Sequence, residues 1–230
     1  DSFRPPAGGE ELAGCRLSPL QFSAEEMDFF VADREAAEAE ADPMLTQLAL
    51  SLARTVNVHA AAMALLGDND WQLGMVRYDL LELLGPPFMA CRPPQLPYIP
   101  DARFERYRGT LDAACRYLDL LFGALLDHVC ADDTAVLLVS ERGMQVGDLR
   151  PQDAHTAFAQ RGGVPWYREH GLFAAAGPAI EAGGAVQGAG LLDVVPTALA
   201  LLGMPGAADL PGRCLREMMP GIAEVPPRGS

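Results

Sequence analysis

The chain has 230 residues, 50% hydrophobic and 21% charged, the composition of a soluble globular protein with room for one large domain or two small ones. Its 17 Lys and Arg against 31 Asp and Glu leave a net charge of -14 at pH 7, a field that repels nucleic acid and anionic membrane surfaces. No apolar run approaches the roughly 18–20 residues of a membrane-spanning helix, and no basic start precedes a hydrophobic signal segment, so neither a membrane nor a nucleic-acid partner is expected.

Residues 1–42 carry Pro-Pro, Gly-Gly and an acidic-alanine run over 32–42, and predict a peripheral, irregular segment with a solvated charged face. The opening Asp1-Ser2-Phe3-Arg4-Pro5-Pro6 has neither an initiator methionine nor a helix cap, as expected of a fragment of a longer protein. Asp42 before Pro43 is an N-cap and first-turn signal. Leu45, Leu48, Leu52, Val56, His59, Met63 and Leu66 then recur at helical spacing up to Gly67, predicting a long helix.

Residues 71–78 predict a short buried strand ending at Tyr78-Asp79, and the proline-rich residues 86–100 a surface loop. Apolar residues from Phe104 through Leu111, Leu118, Leu125 and Val129 predict a second long helix over 104–130. The continuous run Ala135-Val136-Leu137-Leu138-Val139 lacks the alternation of a half-exposed strand and predicts a buried one over 134–140. Residues 172–178 predict another strand, residues 183–190 a glycine-rich turn between strands, and residues 193–202 a last helix stopped by Gly203 and Pro205. Helix, turn, apolar strand and glycine loop in succession make an α/β arrangement.

Five widely spaced cysteines, Cys15, Cys91, Cys115, Cys130 and Cys214, contain no Cys-x-x-Cys pair. They read as mostly buried thiols in a reducing, cytoplasmic compartment. Of the four histidines, His59 on the apolar helix face and His128 near a helix end read as structural, whereas His155 and His170 lie near the loops where chemistry would gather.

In an open α/β sheet the working groups sit on loops leaving the carboxyl ends of strands, here after Tyr78, after Val139 and around Trp166. Ser140-Glu141-Arg142-Gly143-Met144 resembles the Ser-Asp-His-Gly-Phe/Met loop of the type I phosphodiesterase and nucleotide pyrophosphatase family of the alkaline phosphatase superfamily. Tyr78-x3-Glu82-x3-Pro86-Pro87-Phe88-Met89 is similar to that family's Tyr-x3-Asp-x3-His-x-Phe-Met segment. Leu149-Arg150-Pro151, Trp166-Tyr167-Arg168 with Gly171, Gly177-Pro178-Ala179-Ile180, and the closing Asp193-Val194-Val195-Pro196-Thr197 with Gly212-Arg213 follow in the family's order.

The resemblance implies an alkaline-phosphatase-like mixed or parallel sheet flanked by helices over residues 43–215. A tail at 216–230 would follow it, and the N-terminal part of the family domain would be absent. At the family's metal positions, however, stand Glu82, Pro86, Glu141, Arg142 and Tyr167. Proline offers no donor atom, arginine repels a cation, and tyrosine is a poor ligand near neutral pH, while Glu82 and Glu141 remain as degenerate metal positions.

The resemblance therefore implies a catalytically degenerate homologue with no catalytic residues and no cofactor, acting as a binding or assembly module. Arg142 either anchors a small anion such as phosphate or carboxylate, or pairs with Glu82 or Glu141. The alternative is a hydrolase of phosphate or sulfate esters whose zinc or other divalent site is completed by residues outside this chain, with His170 a candidate compensating ligand. A third alternative is a purely structural domain. With strands of the family sheet missing, a homodimer or a partner chain covering an exposed sheet edge is expected.

Overall fold

The structure, a computed structural model, describes residues 16–67, 71–129, 133–158, 164–206 and 209–222. Helix accounts for 53% and strand for 7% of the described residues, a mixed helix-and-sheet composition in which helices dominate. It divides into two compact units, Asp1–Val129 with Met144–Arg168, and Cys130–Gly143 with Glu169–Ser230.

The first unit is helical. Short α1 (Ala24–Asp28) and α2 (Arg34–Ala39) precede the long α3 (Pro43–Gly67), and α4 (Leu80–Cys91), α5 (Asp101–Tyr107) and α6 (Thr110–Val129) follow. The start of α3 is the one its sequence predicts: Asp42 Oδ1 accepts the Met44 N–H at 2.9 Å, satisfying a donor that the helix itself leaves unpaired. Met44, Leu48 and Leu52 of α3 then join Leu80, Leu84 and Phe88 of α4 and Leu111 and Ala114 of α6 in one buried core.

Residues 16–42 are not simply peripheral to this core. Met27, Phe30, Val31 and Ala37 are buried, Met27 on the Ser23-capped α1 and Ala37 on α2, with Met27, Phe30 and Val31 packed into that core. The helix α3 is also long and apolar enough to cross a membrane by length and composition, although no uninterrupted apolar run of that length marks it in the sequence. The polar residues Ser51 and Thr55 that interrupt the run are buried, each donating its hydroxyl to the carbonyl one turn back, at 2.7 and 2.8 Å.

Three expectations in this unit change. Residues 71–79 form no strand: Leu73 and Met75 are exposed, and Trp71 Nε1 donates to Leu66 O at 2.8 Å, so the segment doubles back on the end of α3 instead of pairing. The expected loop over residues 86–100 begins with helix, since α4 continues to Cys91. Gly85 takes φ 59 and ψ -160 and kinks α4, and Pro86 and Pro87 then open its second half, where a first turn needs no proline N–H. The helix expected over 104–130 is two helices, α5 and α6, meeting at Arg108-Gly109.

The first unit also holds α7 (Ala154–Phe158) and β3 (Tyr167–Arg168). The two-residue strand β2 (Gly143–Met144) pairs with β3. Cys91 is buried, Cys214 is half-buried and Cys115 is exposed, the last against expectation, while Cys15 and Cys130 lie outside the described residues.

In the second unit β1 (Val136–Ser140) pairs antiparallel with β4 (Leu172–Ala176), Leu138 opposite Ala174 and Ser140 opposite Leu172. Opposite residues share a face. Leu137, Phe173 and Ala175 pack on Ala200, Leu215, Met218 and Met219, whereas Leu138 and Leu172 are 39% and 55% exposed. The strand predicted to be buried on both faces is therefore packed on one. The glycine-rich residues 183–190 connect β4 to a 3-10 turn (Leu191–Asp193) and α8 (Val194–Leu201), and so do not lie between strands.

Candidate functional site

Glu82 and Pro86 on α4 and Tyr167 on β3 belong to the first unit, and Glu141, Arg142 and His170 to the second. The expected site residues thus fall into two groups, each with its own surroundings.

In the first group, Glu82 lies in the first turn of α4 with Oε2 2.7 Å from Nη2 of Arg77. Beside it in sequence, Tyr78 Oη pairs with His59 Nδ1 at 2.8 Å. Burial lowers the His59 imidazole and raises the Tyr78 phenol from their ordinary pKa values, so both stay neutral at pH 7. The adjacent Asp79 Oδ2 meets Arg54 at 2.7 Å, and its buried Oδ1 has no hydrogen-bond partner among the described residues. Pro86 serves the kinked helix. Tyr167 is half-buried against the helical core, next to a fully buried Trp166 whose Nε1 donates to Ala157 O at 2.8 Å.

Arg150 is a structural pin. The residue is 2% exposed, and its guanidinium donates to the carbonyl oxygens of Gly147, Met89, Arg92 and Pro94. Backbone acceptors from the chain leaving α4 thus compensate a charge that burial alone makes costly.

In the second group, β1 ends in Ser140, whose hydroxyl donates to the Arg142 carbonyl at 3.1 Å. Arg142 Nε lies 3.5 Å from Glu141 Oε1, one of the two pairings expected for it. Gly171 crosses this loop so closely that a Cβ there would stand 1.8 Å from Ser140 O and 2.8 Å from Arg142 N. Only glycine permits that approach. His170 is exposed.

The closing signature does structural work. Asp193 is buried; its Oδ1 accepts the Arg213 N–H at 2.7 Å and its Oδ2 the Gly190 N–H at 2.9 Å, and these two bonds hold its carboxyl below the ordinary pKa. Thr197 Oγ1 accepts the Leu215 N–H at 3.0 Å. Gly212, at φ 93, passes so near Leu192 O that a Cβ would meet it at 2.2 Å.

Among the described residues, no three or more His, Cys, Asp and Glu side chains converge as a metal site would require. The densest charged cluster lies elsewhere. Arg106, 8% exposed, donates to Glu40 at 2.8 and 3.1 Å and to Asp42 at 3.0 Å, and Tyr107 Oη donates to Asp42 Oδ2 at 2.9 Å. Sequence spacing had no means of finding it, because its acidic pair and its Arg106-Tyr107 pair stand more than sixty positions apart.

Comparison with family models, with curated proteins and with solved structures returns no match.

Proposed function

We propose that this chain is a catalytically silent homologue of the type I phosphodiesterase and nucleotide pyrophosphatase family, the C-terminal portion of an alkaline-phosphatase-like domain, acting as a binding or assembly module. The observation that carries the reading is the pairing of both remaining carboxylates with arginines of their own units. Glu82 meets Arg77 at 2.7 Å and Glu141 meets Arg142 at 3.5 Å. A carboxylate whose charge is already offset by a guanidinium is a weak ligand for a divalent cation, and Pro86 brings no donor atom to the set.

Two further observations agree with it. The antiparallel β1–β4 pair suits a mixed sheet, and its open apolar face suits a domain that works against another chain. Arg142, on a loop that Gly171 braces, is the anion anchor of this reading, a phosphate or carboxylate ligand displacing Glu141 from its guanidinium.

The test is elemental analysis for zinc, manganese and iron, together with hydrolysis of bis(4-nitrophenyl) phosphate with each metal added. We expect under one-tenth of an ion per chain on the order-of-magnitude scale of an empty site, no cleavage, and phosphate binding that Arg142→Gln abolishes. Stoichiometric metal with cleavage lost in Glu141→Gln would establish the hydrolase instead.

A further inference from the structure

Helix α2 hangs between two unusual joints. Asp33, at φ 56, and Ala41, at φ 50, are the only non-glycine residues with positive φ among the described residues. A β-carbon disfavours this left-handed backbone, which persists only where the surroundings enforce it. At Ala41 the cap of α2 itself holds the turn, the Ala41 N–H on Glu38 O at 3.0 Å and the Asp42 N–H on Ala37 O at 2.9 Å, and Arg106 of α5 grips the residues on either side, Glu40 through both Nη atoms and Asp42 through one.

The segment before the joint is braced within itself. Arg34 Nε meets Asp28 at 2.8 Å and its Nη1 meets Glu38 at 2.6 Å, tying α1 to α2. At its far end Asn57 of α3 holds Leu17, accepting its N–H at 2.6 Å and donating to its carbonyl at 3.0 Å. Asp42 is held independently through the Met44 N–H. Between these two pins the ties to the body are the Arg106 clasp, the Ala32 N–H to Arg106 O at 3.1 Å, the Thr110 hydroxyl to Phe30 O at 2.8 Å, and apolar contact that includes Phe30 edge-on to Tyr117 at 5.5 Å.

We propose that residues 18–41 form a strained strap, pinned at Leu17 and Asp42 and locked by Arg106, that opens as a unit and uncovers the apolar face of α6 around Tyr117 while α3, α4 and α6 stay folded. Release of the clasp leaves the left-handed joint at Ala41 to the cap bonds of α2, and the Arg34 brace makes α1 and α2 leave together. Arg106 favours release once disengaged, since its Nε is buried without a hydrogen-bond partner when the strap is shut.

Amide hydrogen exchange on the full chain tests this. In Arg106→Met, which keeps the apolar stem, amides of residues 27–41 exchange roughly tenfold faster or more, while those of residues 113–125 in α6 keep their wild-type protection. Ala41→Gly in the otherwise unchanged chain slows exchange of residues 27–41 by roughly threefold, because glycine takes the joint conformation without strain. Should Arg106→Met fail to fold, Glu40→Gln, which leaves Asp42 to hold the guanidinium, produces the same pattern at smaller amplitude. Acceleration spread equally into α6 would make the segment part of one cooperative core. Unchanged exchange at 27–41 would remove Arg106 as the lock, and faster exchange in Ala41→Gly would remove the strain.

Discussion

Asp42 joins two helices, α3 and α5, through one carboxylate. It caps α3 through the Met44 N–H, receives the Tyr107 hydroxyl and faces Arg106. Burial opposes its ionisation, but the Met44, Tyr107 and Arg106 hydrogen bonds outweigh that and hold its carboxyl below the ordinary 3.8. Hydrogen bonding from Arg106 likewise lowers Glu40. A carboxyl depressed in the folded state adds stability that is full above its unfolded pKa and is lost as pH falls through the lower folded value. Asp42→Asn therefore removes about 1.5–3 kcal/mol at pH 7, the scale of hydrogen bonds to a charged group while Glu40 still holds Arg106, and shrinks the fall in stability below pH 3.8. Urea denaturation of both proteins across pH 2–7 on the roughly chosen window of carboxylate titration checks this; parallel profiles would deny Asp42 its linkage. The cap was legible from Asp42-Pro43 because capping is local, whereas Arg106, 64 positions away, enters only when α5 docks.

At the scale of elements, backbone geometry decides more than side-chain chemistry. A proline-rich stretch reads as loop because proline breaks a helix interior, yet the Gly85 kink restarts α4 just before Pro86 and turns the breakers into starters. The β1–β4 ribbon depends on the same kind of constraint. Beyond the end of the Ser140–Leu172 pair, Gly171 leaves no room for a β-carbon against Ser140 O. Gly171→Ala is expected to lower the melting temperature by roughly 5 °C or more, the scale of a forced backbone shift in a small domain. Gly184→Ala, whose Cβ would stand 3.7 Å from its nearest neighbour Glu181 O, changes it little. Equal effects in thermal denaturation would show that the close approach does not govern the ribbon.

At the scale of the whole molecule the acidic charge dominates behaviour in solution. With a net charge of -14 and a sequence pI of about 4.6, self-repulsion keeps chains apart at neutral pH and vanishes where the carboxylates titrate. The open face bearing Leu138 and Leu172 then meets no electrostatic barrier. Solubility measured between pH 3.5 and 8, a range of roughly one unit below to three above the isoelectric region, should pass through a minimum near 4.6; a flat curve would show that charge does not limit association.

Some of this architecture needed only the chain. The stripe of leucines in α3, its Asp42 cap, the apolar run of β1 and the stop at Gly203 are periodic or nearest-neighbour signals, so sequence alone determined those elements, and with them the mixed helix-and-sheet class. What only the tertiary structure decided was partnership: that Glu82 meets Arg77, that Glu141 meets Arg142, that Arg150 pins four carbonyls, and that Arg106 clasps Glu40 and Asp42. A charge finds its partner wherever burial brings an opposite charge or a bare carbonyl within about 3 Å, and that distance is set by how helices dock, which no local spacing encodes.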